Sequence, residues 1–182
     1  MVTILGKKIP NQLTELTVQQ FEDITTIHAN KELDAIEKHL EVFELLGIKE
    51  DEFEDVSIEE FKQFVREFNN IKGAKKIVNK IELDGYHYTA FEETFKLSVR
   101  DTKHIEKLMN IRYKGYMSEI LAILFKRDDL TKVEHYADAH IKHKAKLIRE
   151  EKASLVVPYL AEIGSKLSKE LPKHAQIGRA HV

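Results

Sequence analysis

The sequence predicts an α+β fold, mostly helical, with a small antiparallel β-hairpin sheet (Ile4–Ile9 and Ile77–Phe91) packed by six to seven amphipathic helices. Three observations predict it. Two alternating runs meet at Asp84-Gly85, a pair suited to a type I′ turn because both positions need positive φ. Helix-start signals recur at Leu16-Thr17-Val18, Val56-Ser57 and Leu97-Ser98-Val99. Apolar residues then follow at helical spacing.

The segment 2–9, VTILGKKI, reads as a strand, a Gly-Lys turn and a return, ended by Pro10 and Asn11. Thr17 caps the first helix, Gln20 closes a capping box, and the helix buries Phe21, Ile24 and Ile27. Asn30 is expected to cap the next helix, which places Leu33, Ile36, Leu40 and Phe43 inward and stops at Gly47. Residues 49–55, KEDEFED, form an acidic connector around Phe53. Ser57 and Glu60 make a second box, and Phe61, Phe64, Val65 and Phe68 share one stripe, which reads as core.

The central hairpin is expected to pair Leu83 with Tyr86, Ile81 with Tyr88 and Glu82 with His87, with Val78 opposite Phe91. Ile81, Leu83, Tyr86 and Tyr88 then face the core, and Lys80, Glu82, His87 and Thr89 face water. Ser98 caps a helix that buries Ile105, Leu108 and Met109. After Lys114-Gly115, Ile120 to Leu124 read as a buried helix, and 126–131, KRDDLT, as a break. A charged helix from Lys132 to Lys152 turns Val133, Ala137, Ile141, Ala145 and Ile148 inward. Pro158 marks a boundary or kink. Tyr159, Leu160, Ile163, Leu167 and Leu171 make the last helix, ended by Pro172.

A single domain is expected over 1–176, with candidate pseudo-repeats 1–71 and 77–171. An offset of 81 lays Leu16-Thr17-Val18 on Leu97-Ser98-Val99, and such units could pair their hairpins in one sheet. The last six residues, IGRAHV, back-translate as a sequencing-adapter read-through. Residues 177–182 are therefore expected to be a non-native tail.

Composition narrows function more than it defines it. The 29 basic and 31 acidic side chains give no global field for nucleic acid or membrane. The absence of cysteine excludes disulfides, thiolate zinc sites and cysteine nucleophiles. The N-terminal residues carry no signal-peptide pattern, and Ile120 to Phe125 is too short to span a bilayer. A cytoplasmic protein is expected.

No P-loop, GxGxxG, GxSxG or HExxH occurs. His135, His140 and His143 share one predicted helix, which reads as a solvated face, and a metal hydrolase on His140 and His143 is the weakest reading. No catalytic, cofactor-binding or metal-binding residue is assigned, and no enzyme activity is expected. Residues 32–67 hold 13 acidic residues against Lys38, Lys49, Lys62 and Arg66. That imbalance makes head-to-tail self-association a candidate. Lys72, Lys75, Lys76 and Lys80, with Glu82 and His87, are the candidate contacts for a partner or for nucleic acid.

Several motifs carry a resemblance. They are I-x-G-K near the start, L-T-V-x-Q-F at Leu16 to Phe21, Glu44-Leu45-Leu46-Gly47, the hairpin I-E-L-D-G-Y-H-Y, and I-L-A-I-L at Ile120 to Leu124. Over residues 2–171 the chain resembles proteins of tailed-bacteriophage structural gene clusters, of the tail-assembly-chaperone kind. The resemblance implies a non-enzymatic role in the infected bacterial cytoplasm or virion, holding a tail or tape-measure component soluble. A nucleic-acid-binding role through the basic patch is the alternative.

Overall fold

Two β-hairpins, each followed by helices, build a mostly helical α+β fold. The computed structural model describes residues 1–69, 77–90, 97–130 and 138–164. The first hairpin joins β1 (Val2–Ile4) to β2 (Lys7–Ile9). Its turn is Leu5-Gly6, with φ of 49° and 76°, so Lys7 is already in the strand opposite Ile4. The expected Gly-Lys turn is therefore one residue late. A type I′ turn needs positive φ at both central positions, and Gly6 supplies the second of them.

α1 (Val18–Ala29) opens with the expected box. The Gln20 N–H donates to Thr17 Oγ1 at 3.1 Å, and the Thr17 N–H donates to Gln20 Oε1 at 3.0 Å. Asn30 closes this helix instead of opening the next, its N–H reaching the Thr26 and Ile27 carbonyls. The start of α2 (Ala35–Leu45) belongs to Asp34, whose carboxylate accepts from Ile36 N at 2.7 Å and Glu37 N at 2.9 Å. Two backbone donors on one carboxylate are a stronger cap than Asn30 could form. Ile36, expected inward, is 46% exposed.

The acidic connector is a 3₁₀ turn, Glu50–Phe53, that carries Phe53 into the core. Ser57 and Glu60 cap α3 (Ile58–Asn69) reciprocally, as expected. The Phe stripe is core. Phe43 lies 5.5 Å from Phe53, 6.0 Å from Phe61 and 5.6 Å from Phe68, ring centre to ring centre. Ile4, Ile9, Leu16 and Ile24 complete this first core.

The second hairpin keeps its expected register: β3 (Lys80–Leu83) pairs with β4 (Tyr86–Ala90) through Ile81↔Tyr88, Glu82↔His87 and Leu83↔Tyr86. Asp84 and Gly85 have φ of 50° and 74°, as a type I′ turn demands. Ile81, Leu83 and Tyr88 are buried. Tyr86 is not, at 44% exposure; it flanks the turn, and the Arg127 guanidinium lies 4.0 Å over its ring. The Val78–Phe91 pairing falls outside the described residues.

The hairpins do not share a sheet. β5 (Phe125–Arg127), in the stretch expected to be a break, pairs antiparallel with β4 and completes a three-stranded sheet. β1 and β2 stay a separate two-stranded sheet. The open edge of β4 is satisfied by the nearest extended segment, the one that follows Leu124.

α4 (Val99–Ile111) begins with the expected Ser98–Asp101 box and buries Ile105 and Leu108. α5 (Tyr116–Leu124) is buried from Ile120 to Leu124 and packs on α6 (Asp138–Glu150). α6 turns Ile141, Ala145 and Ile148 inward as expected. Val133 and Ala137 lie outside the described residues, as do Leu167, Leu171, Pro172 and the tail 177–182.

α7 spans 153–164 and runs through Pro158. Of the boundary or kink expected there, the boundary is absent: the helix begins at 153, where its first donors find carbonyls. Ala153 N–H donates to the Leu16 carbonyl at 2.9 Å and Ser154 N–H to the Leu13 carbonyl at 3.0 Å. Those first-turn donors would otherwise be unpaired. Val18 N–H returns the tie to the Glu151 carbonyl at 2.8 Å. α7 then joins two cores: Ala153 and Val157 enter the first, and Val156, Tyr159 and Ile163 the second. The order hairpin, helix, helix occurs in each half. Duplication as its origin is a proposal that rests on this shared order.

Candidate functional site

Between the two cores lies a cleft of about 390 Å³. One wall is the last turn of α1 with Ile27 and Ala29, joined by Glu41 of α2. The other is the α4–α5 junction, with Arg112 and Tyr116. Arg112 ends α4 in the left-handed region at φ 49°, which turns the chain sharply toward α5. Tyr116 is set by its neighbours. The Gly115 N–H donates to Glu22 Oε1 at 2.8 Å, and the Met117 N–H donates to the same oxygen at 3.0 Å.

Glu22 thus caps α5 from a different helix, because Gly115 at the N-cap has no side chain to do so. Ser118 Oγ donates to Glu22 Oε2 at 3.2 Å and completes the cap. Burial pushes the Glu22 carboxyl above its ordinary range, against the pull of Met117, Ser118 and Gly115. Burial also raises the Tyr116 phenol. The cleft therefore combines fixed apolar walls with an acidic and a basic side chain, Glu41 and Arg112. That arrangement suits binding an amphipathic segment.

Lys144 occupies a second unusual position. It is 1% exposed on α6, donates to the Phe125 carbonyl at 2.5 Å, and sits 5.4 Å over the Tyr88 ring. Burial, then the charges of Lys126 and Arg127, lower its pKa to about 7. Its amine is buried, so Lys144 bears on stability. It belongs to the HIKHKAK cluster, read from sequence as a basic surface. Lys142, His143 and Lys146 of that cluster are exposed, while His140 is half-buried.

Of the sequence-derived contacts, Lys80, Glu82 and His87 are exposed together on the outward face of the second hairpin. Glu82 stands directly opposite His87, and Lys80 opposite Thr89. The alternation of Lys80 with Glu82 offsets charge along that face. Lys72, Lys75 and Lys76 lie outside the described residues, as does His135. Sequence reasoning missed Glu22, Lys144 and a cross-helix pair, His28 and His39. Glu22 left no trace on the expected inward stripe of Phe21, Ile24 and Ile27: two positions before Ile24 it lies on another side of the helix, one turn after Val18, with which it is buried.

No family model, curated protein or solved structure matches this chain. Among the described residues, no helix is long and apolar enough to cross a membrane.

Proposed function

We propose that the protein is a non-enzymatic assembly factor of a tailed bacteriophage, chaperone-like, that keeps another phage structural protein soluble until it is incorporated. The client is a tail or tape-measure component, met in the infected bacterial cytoplasm. The observation that carries this reading is the cleft between α1, α2 and the α4–α5 junction, with Ile27, Ala29 and Tyr116 as apolar walls between Glu41 and Arg112. An amphipathic client helix would lay its apolar face on those walls and its charges on the rim. The motifs at Leu16 to Phe21, Ile81 to Tyr88 and Ile120 to Leu124 add the resemblance to tail-gene proteins. Co-expression with the products of neighbouring tail genes is the test. A soluble complex with one of them is expected, and failure of every neighbour to co-purify would count against the reading.

A further inference from the structure

His28 of α1 and His39 of α2 face each other, their ring centroids 5.6 Å apart and their planes at 73°. They are held differently. His39 Nδ1 lies 2.6 Å from the Ala35 carbonyl one turn back. Since a carbonyl only accepts, Nδ1 carries a proton, and in the neutral ring the lone pair is then on Nε2. That Nε2 is shielded from solvent and has no hydrogen-bond partner. A buried ring nitrogen left without a partner calls for an explanation, and an unseen ion is one. His28 is exposed in the last turn of α1, so its ring is free to turn toward a shared ligand.

We propose that His28 and His39 form a transition-metal site, taking one borderline divalent ion such as Zn²⁺ or Cu²⁺ between them. Imidazole nitrogens about 2.0–2.1 Å from a common ion, in a tetrahedral arrangement, leave ring centres roughly 5–6 Å apart. These rings already stand at that separation. A ligating histidine commonly donates its other N–H to a backbone carbonyl, which fixes the ring and its tautomer. His39 makes that bond to Ala35. Burial, His39 and Lys38 lower the pKa of His28, which favours its neutral, coordinating form.

Among the described residues no third His, Asp or Glu joins the pair, so water fills the remaining positions. Lys38 opposes any cation there, which favours Cu²⁺, the strongest binder in the divalent order. An ion at this point would tie the end of α1 to α2, the two helices on one side of the cleft. The proposal is independent of the assembly reading.

The test is isothermal titration of the untagged chain with Zn²⁺, and separately with Cu²⁺, at pH 7.5. Saturable one-to-one binding is expected, weakened at least tenfold by His28→Asn and by His39→Asn, and unchanged by His143→Asn on α6. Because a variant can lose its fold, the ring nitrogen chemical shifts of the wild-type protein are followed as well. Zn²⁺ should move the His28 and His39 signals before any other histidine. No saturable binding, an adventitious ion only, or binding that ignores both substitutions would overturn the site.

Discussion

Glu22 and Gly115, 93 positions apart in sequence, are joined by a 2.8 Å hydrogen bond in which the Gly115 N–H donates to the Glu22 carboxylate. With Met117 and Ser118 as further donors, this one side chain closes the start of α5 and fixes Tyr116 in the cleft wall. Removing it leaves buried donors unpaired. Glu22→Ala is expected to cost about 3 kcal/mol, and Glu22→Gln, which keeps an acceptor, about 1 kcal/mol. Urea unfolding of both variants measures the difference.

The Glu22 pKa is raised on folding from an ordinary value of 4.5. The protonated form is therefore favoured in the fold. That contribution is complete below the unfolded value and is lost as pH rises through the folded one. The gap between wild type and Glu22→Gln should move in favour of the Gln protein from about pH 4 upward. Unfolding free energies from pH 3 to 8 would show the trend, and a gap moving the other way would contradict the assignment.

Lys144 carries the opposite sign. Its pKa falls from 10.5 to about 7 on folding. Between those values the unfolded chain holds the proton and the folded chain does not, so stability rises with pH. Below the folded value the penalty is complete. Lys144→Met should raise stability at pH 7 by roughly 2–4 kcal/mol and flatten the rise between pH 7 and 10. Thermal melts across that range measure it.

Phe43 is the ring around which the first core is built, touching Phe53, Phe61 and Phe68. Phe43→Ala should cost about 3–5 kcal/mol, and Phe43→Leu less, because the smaller void is better refilled. Guanidinium titration of the two variants separates transfer from cavity.

What the sequence made legible was local. The Thr17, Ser57 and Ser98 boxes each close within three residues, and the Asp84-Gly85 turn sets the register of its own strands. Partners so near are fixed by backbone geometry alone. Features decided through space were not legible. Asn30 is a good cap by type, yet Asp34 holds that place with two donors. Pro158 reads as a boundary or kink, yet α7 runs through it and takes its start earlier, from the carbonyls of Leu13 and Leu16. Lys144 reads as a surface charge until α6 is laid under Phe125. His28 and His39 are 11 positions apart, a spacing with no meaning until α1 and α2 pack. Spacing along one helix points to His140 and His143 instead.

The cleft is the centre of the functional account, and Ala29 is its most direct probe. It is exposed and lines the wall, so Ala29→Glu should leave the fold intact while placing a charge where an apolar client face would lie. The decisive measurement is the yield of soluble client co-purified with wild type and with Ala29→Glu, each checked for an unchanged melting temperature. A complex with the wild-type chain is expected, and at least a tenfold lower yield with the variant. A complex equally abundant with both would place the client elsewhere and contradict it.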